Sequence, residues 1–500
     1  MADSALLSRR GFLTATSVTA LALGSAQAKK GPLLRLVPRG QPTPAAWKKL
    51  ATMMQVVLPG DPDYLALALP DNLRYAGNLP AGIARCRRTE QVAEAIKWSR
   101  ENQIPLITRS GGHSYAGYST TTGLMIDMRL MDDVSFDAAS GIVTMQGGTI
   151  NERVYKALEA NNATLTHGRC PSVGAAAFLL GGGIGFDMRE YGFASDKMTA
   201  TELVKANGDV LAMSESQNPN QFWACRGGGG GNFGISTSFS VQTVQAPKTV
   251  TVFNMTWQSG DPEIALKLMT ALSKTPNTFG SRASIASVNP ERTGPYKGIQ
   301  INLLGQLKGT KDELMSYFKD VPDPTLPPEI EELTYWKGQD FLAEPAAPTY
   351  YQERSAFVNT AVPEKIIRIG YEHFLNQWPG VGGNCDLRFF QTGKATNDMA
   401  PDKTAFVHRS SEWLMVVGLY WTMIDNFNRF RLIKAHAWQD NFYHAVLPYT
   451  DGGAYQNFPD PSLVDWRHAY YGQNLDALVR IKKDLDPTKV FNFPQAISAV

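Results

Sequence analysis

"GGGGGNFGISTSFSVQTV", Gly227–Val244, places Gly229, Gly231 and Gly234 at the spacing of a dinucleotide-binding fingerprint. That fingerprint needs a helix after its glycines, so that a helix N-terminus can hold the pyrophosphate. Here the glycines run into "ISTSFSVQTV", alternating and β-branched, which predicts a strand. No Lys-Ser or Lys-Thr closes the run, so a P-loop fails as well. Two readings remain. The glycines allow tight backbone packing, or they let bare N–H groups approach a large flat or charged ligand. A second cluster, Gly181–Gly185 in "LLGGGIGFDMREYG", also lacks the right frame. Several such clusters in one chain point to a bulky cofactor.

Upstream, "IPLITRS" reads as a strand ending at "RSGGHSYAGYST", Arg109–Thr120. His113 sits in that glycine-paired turn with no metal partner at i+2, i+3 or i+4. A lone cysteine, Cys170, stands in "GRCPSVG". The other cysteines are Cys86, Cys225 and Cys385; without a CxxC pair a thiol metal site is disfavoured, and the spacing names no disulfide.

Around these motifs the predicted elements mix short strands and helices up to about Val244. "TEQVAEAIKWSREN" is a helix with Thr89 as its cap and Val92, Ala95, Ile96 and Ser99 on one face. "GLMIDM" and "GIVTMQGG" are strands, and "INERVYKALEANN" is a helix. "ELVKANGDVLAM" is a hairpin in which Asn207-Gly208 suits a type I′ turn. From Thr249 the texture changes. "TVFNMTW", "GIQINLLGQL", "LRFFQTG" and "WLMVVGLYW" are strands, "TKDELMSYFKD" is a helix, and "DNFNRFRLIKAHAWQDNFYHAV" is one long amphipathic helix. The tail, "LDALVRIKKDLDPTKVFNFPQAI", returns to helix and then a Pro-bearing loop. No internal repeat or low-complexity segment occurs.

The 500 residues are 43% hydrophobic and 19% charged, with a formal net charge of +2. That suits a folded enzyme of two or three domains and leaves no basic signature for nucleic acid. "SRRGFLTATSVTALALGSAQAKK" carries Arg9-Arg10, a short apolar run and a small-residue site at Ala26–Ala28. It reads as a twin-arginine export signal, placing the mature chain in the periplasm or outside the cell. No stretch is long and apolar enough to span a bilayer. No residue pattern signals an oligomer, so a monomer is the default.

Taken in order, "RSGGHSYAGYS", "GRCPSVGAAAFLLGGGIGFDMREYGFASD", "FWACRGGGGGNFGISTSF" and "YYGQNLDALVRIKKDLDPTKVFNFPQAI" resemble the FAD-linked oxidases of the vanillyl-alcohol-oxidase superfamily, in its berberine-bridge-enzyme-like branch. The resemblance implies an α+β fold: a two-part FAD-binding domain plus a substrate domain whose large antiparallel sheet is backed by helices. The implied boundaries are a signal at 1–28, a linker and lead-in at 29–78, the FAD domain at 79–248, the substrate domain at 249–450, and a return to the FAD domain at 451–500.

The same resemblance implies FAD attached twice, at its 8α carbon through His113 and at C6 through Cys170. An imidazole and a thiolate are nucleophiles, and the oxidised isoalloxazine is electron-poor. Arg109, Ser110, Gly111, Gly112, Ser114 and Tyr115 match the pyrophosphate loop. Gly174, Ala175, Ala176, Ala177, Phe178 and Ile184 match residues along the flavin and its diphosphate. Gly231 and Ile235 match contacts to the nucleotide half, and Tyr455 and Asn457 match residues near the isoalloxazine.

The implied reaction is hydride transfer from a small-molecule alcohol to flavin N5, with O2 reduced to H2O2. The substrate is a carbohydrate or an aromatic or natural-product alcohol. Val173 matches the oxygen gatekeeper and favours an oxidase over a dehydrogenase that passes electrons to a quinone or other acceptor; a flavin or sugar binder without turnover is the third alternative. One departure affects the mechanism: many relatives carry a tyrosine where Phe458 stands. Tyr420, Tyr118 and His444 are the candidate bases, Tyr420 first. His408 in "AFVHRS" resembles a structural His-Arg pair without chemistry.

Overall fold

The protein is described from a computed structural model covering residues 42–287, 298–345 and 347–498. Arg9, Arg10 and the site at Ala26–Ala28 lie outside the described residues.

The glycine run enters the strand Ile235–Gln242, as its alternation predicts. That strand is central in a five-stranded antiparallel sheet, with Ile142–Gln146 on one side and Met198–Val204 on the other. The helices Asn151–Ala160, Ala175–Leu180 and Leu475–Leu485 contribute Val154, Leu179 and Leu478 to the core beside it. A second, four-stranded sheet holds Gln55–Val57, Gly82–Arg85, Leu106–Arg109 and Leu124–Asp127. Its last three strands are parallel, and the helix Thr89–Glu101 makes the crossover, burying Val92, Ala95, Ile96 and Ser99. Gln55–Val57 pairs with Gly82–Arg85, so the stretch before residue 79 adds an edge strand to this sheet.

Three local expectations are corrected. The cap position of Thr89–Glu101 is Arg88, and the Thr89 hydroxyl instead donates to Glu202 across 2.8 Å. The hairpin at Asn207-Gly208 forms, but only Gly208 has positive φ. A type I′ turn needs two such residues. Here Gly208 N donates to Lys205 O, Lys205 N to Asp209 O, and the Asn207 side chain accepts from Asp209 N. The loop is thus longer, with glycine in the left-handed position. The long helix is broken in two, Met423–Phe427 and Arg429–Val446, because the Asn428 side chain accepts from Arg431 N and starts the second as a cap.

The second unit is a seven-stranded antiparallel sheet. On Trp413–Trp421, Trp413, Met415, Val417 and Leu419 join the core shared with the helices Pro262–Leu272, Glu364–Asn376 and Arg429–Val446. Leu414 and Val416 point the other way, into a smaller cluster with Phe357, Phe390, Tyr455 and Phe458. Period-two alternation therefore gives the sheet one helix-backed face and one face turned to the glycine-rich domain. Residues on that second face can reach a ligand held by the glycine loops. Cys86, Cys225 and Cys385 are free and buried in three separate cores.

Candidate active site

A cleft with about 1820 Å³ of open space runs between the glycine loops. Two of these loops touch through backbone. A Cβ at Gly111 would collide with Gly174 N and Ser172 O, and a Cβ at Gly174 would collide with Ser110. Only glycine permits this approach, which brings the His113 loop against the Cys170 loop. His113 Nε2 lies 3.0 Å from Ser172 Oγ, and Cys170 Sγ lies 3.4 Å from the same hydroxyl. His113 Nδ1 lies 3.4 Å from Asp71 Oδ2. One nitrogen and one sulfur nucleophile, both from residues that line the cleft, thus meet at a single serine.

The two glycine clusters divide their work. Gly227 packs against Phe406 and Gly181 against Asn457, so closely that no Cβ fits. A Cβ at Gly230 or Gly231 would meet nothing closer than 3.9 and 3.6 Å, and both line the cleft. Ser110 Oγ, Tyr118 OH and Ser236 Oγ are buried on this wall without a partner among the described residues. Unpaired buried polar atoms are costly unless a ligand satisfies them.

Of the residues matched to the cofactor, Ser110, Gly111, Gly112, Ser114 and Tyr115 line the cleft, as do Ala176, Ala177, Phe178 and Ile184. Gly231, Ile235, Tyr455 and Asn457 line it too. Arg109 and Ala175 do not. The buried Arg109 guanidinium donates to the carbonyls of Leu67, Ala68, Leu69 and Ser119. It caps the end of the helix Tyr64–Ala68 rather than facing a ligand. Ala175 packs in the core beneath its helix. The matches missed Ser236, Asn232 and the C-terminal Asn492, Phe493 and Gln495, which close the cleft from another part of the chain.

The sheet face beyond Tyr115 carries a buried charged network. Tyr420 donates to Glu353 Oε1, and Arg388 Nη2 donates to Tyr420 OH over 3.1 Å. Arg388 also donates to Glu353 Oε1 over 3.1 Å and forks onto Asp386 at 2.9 and 3.1 Å. Glu353 is 2% exposed, and its Oε2 has no partner among the described residues. Burial, with Glu353 and Asp386 nearby, pushes the Tyr420 phenol well above its ordinary value against the opposing pull of Arg388. Arg169 and Arg282 share Glu344 at 2.5 and 2.6 Å. Burial alone would lift the Glu344 carboxyl; Arg169, Arg282 and Arg388 outweigh it and hold it below its ordinary value. Tyr351 stacks on Tyr420 and meets Tyr115 edge-on, linking this network to the cleft wall.

The three candidate bases separate. Tyr420 is on the cleft-side face. Tyr118 lines the cleft, but burial, then Tyr75, Asp460 and Tyr471, push its phenol up, so it holds its proton. His444 is exposed on the helix Arg429–Val446, behind the sheet, with Nδ1 on Asp440 O at 2.7 Å. It is therefore removed as a base. Glu353 and Arg388 were not anticipated. In sequence they are charged strand residues, and only the strand pairing gives them a common face.

Residues 80–214 match the family described as FAD binding domain, and residues 454–498 match the family described as Berberine and berberine like. An FAD-linked oxidoreductase of Bacillus subtilis, YvdP, is 31% identical over 89% of this chain and 97% of its own length. The xylooligosaccharide oxidase of Thermothelomyces thermophilus is 28% identical, over 85% of this chain and 88% of that one. Among solved structures, BBE-like 1 of Physcomitrella patens superposes with a TM-score of 0.79 at 26% identity, covering 90% of this chain and 98% of that one. FAD suits the cleft on its own terms: open glycine backbone at Gly230 and Gly231, and orphaned hydroxyls at Ser110, Tyr118 and Ser236.

Proposed function

Because the chain belongs to the berberine-bridge-enzyme-like family of FAD-linked oxidoreductases, we propose that it is an exported oxidase of a small-molecule alcohol, with FAD bonded to both His113 and Cys170. The observation that carries the double attachment is Ser172, whose hydroxyl lies 3.0 Å from His113 Nε2 and 3.4 Å from Cys170 Sγ. A carbohydrate is the favoured substrate, on the likeness to the xylooligosaccharide oxidase. The export route rests on Arg9-Arg10 and the apolar run behind them.

When bound, FAD supplies the acceptor for a hydride from the substrate carbon and passes two electrons to O2. The chain's share is positioning and proton transfer. Tyr420 takes the substrate hydroxyl proton as it gives its own to Glu353, to which it already donates. This relay suits a phenol held above its ordinary value: Tyr420 never has to stand as a free phenolate. Arg388 donates to both partners and holds them in register. Val173 lines the cleft where O2 would approach.

A panel of oligosaccharides and aromatic alcohols, added without air, tests the reading. An oligosaccharide should bleach the flavin absorbance, and admitting air should restore it with one H2O2 per turnover. Bleaching without peroxide would make the protein a dehydrogenase. No bleaching across the panel would make it a binder.

A further inference from the structure

We propose that Asp71 is the proton acceptor that readies His113 for its bond to the flavin, and that it serves this bond and not the one at Cys170. The inference rests on the double attachment proposed above.

Asp71 lies just before the bridge that ties Asn72 to Thr349 of the substrate domain. Its backbone is fixed from both sides: Asp71 N donates to Gly112 O at 3.2 Å, and Thr349 N donates to Asp71 O at 3.0 Å. The first of these bonds joins it to the residue before His113. The side chains of Asp71 and His113 are only 11% and 13% exposed, and Oδ2 faces Nδ1 at 3.4 Å. Among the described residues no Lys or Arg pairs with Asp71. Besides the imidazole, its carboxylate accepts from the Tyr351 hydroxyl at 3.2 Å. A shielded carboxylate without a fixed cation favours positive charge or a proton on whatever it faces.

Attachment at His113 requires such a group. The new bond joins a ring nitrogen to the flavin's methyl carbon, which gives up one C–H bond. The imidazole proton goes to Asp71, and the carbon's hydrogen leaves as a proton. The two electrons of that C–H bond remain on the flavin until O2 removes them. A neutral imidazole that bonds carbon while keeping its N–H becomes a cation; a carboxylate at Nδ1 removes that obstacle. Ser172, at Nε2, fixes the ring from the opposite side. Cys170 approaches the same serine but has no contact with Asp71, so its bond is independent of the carboxylate.

Asp71→Asn keeps the backbone bonds and an acceptor for Tyr351 while abolishing the base. Cys170→Ala isolates the His113 bond. Acid-precipitated chains are followed through expression for flavin in the pellet, and their peptides are weighed. Cys170→Ala should keep its flavin in the pellet. Cys170→Ala/Asp71→Asn should acquire it about 10²-fold more slowly, the scale of a lost general base. Asp71→Asn alone should carry flavin on the Cys170 peptide and little on the His113 peptide. Equal attachment with and without Asp71 in the Cys170→Ala background would overturn the proposal. Loss of both bonds in Asp71→Asn would overturn it too, since Asp71 would then be shaping the loop. If Cys170→Ala itself releases all its flavin, the His113 bond is absent and the premise falls rather than the role of Asp71.

Discussion

Phe458 lies flat on Tyr115, their ring centroids 4.7 Å apart and their planes 3° from parallel. The position where the family resemblance leads one to expect a phenol is here one half of an aromatic stack. It can bound the site but cannot accept a proton. The proposed reaction takes its proton acceptor from the facing sheet, where Tyr420 and Glu353 share a hydrogen bond.

Tyr420→Phe removes the first acceptor and Glu353→Gln the second. Each should slow anaerobic flavin reduction about 10²-fold or more. The double variant should be little slower than either single one, because the two act as a unit. Stopped-flow reduction measures this; unchanged rates in both single variants would remove the relay.

Gly111→Ala forces a Cβ onto Gly174 N and Ser172 O. The loops must separate, at a cost of about 1–3 kcal/mol for overpacking. The separation also parts His113 from Ser172. A lower melting temperature together with a smaller acid-stable flavin fraction is expected. Gly111 does not have positive φ, so the collision alone is at issue; Gly77→Ala, at a glycine that likewise lacks positive φ and has nothing within 4 Å of its Cβ, is the control.

Val173→Ile narrows the cleft by one methylene. Reoxidation of the reduced flavin by O2 should slow by roughly tenfold, the lower end of what one methylene does in a closed pocket. Anaerobic reduction by substrate should change far less. Separate stopped-flow measurements of the two half-reactions test the contrast.

His408 sets part of the acid response. It is buried, stacks on Phe357 at 4.3 Å, and burial lowers its pKa from 6.5 to about 3. The folded state therefore keeps it neutral while the unfolded chain takes up a proton below 6.5. Its stability contribution is intact above that pH and declines as pH falls from 6.5 toward 3. His436, lowered to about 4 by burial and then by Arg74, acts in the same direction. Denaturation midpoints should fall between pH 6.5 and 4, and the slope should be shallower in His408→Phe.

The cleft was legible because its chemistry is written in local motifs. Each motif is local: a histidine two residues after Gly111 in one, and a cysteine before Pro171 with Gly174 just beyond in the other. The face of the site opposite was not. Glu353, Asp386 and Arg388 stand on two strands, and Trp413–Trp421 pairs with both, placing Gly418 opposite Glu353 and Asp386. A Cβ at Gly418 would collide with the Asp386 carboxylate, so this strand glycine marks a close approach that its sequence context does not explain. The task of the Arg109 side chain was hidden for a related reason. Its position in the loop is local, but the carbonyls that claim its guanidinium belong to Leu67–Leu69, far back in the chain.

The central claim is a flavin held by one nitrogen and one sulfur of this chain. Proteolysis of the denatured holoprotein and mass analysis of the yellow fragments test it most directly. The account predicts a single species in which one FAD joins the peptide of His113 to the peptide of Cys170. Recovery of both peptides at their unmodified masses, with all the flavin free in solution, would contradict it.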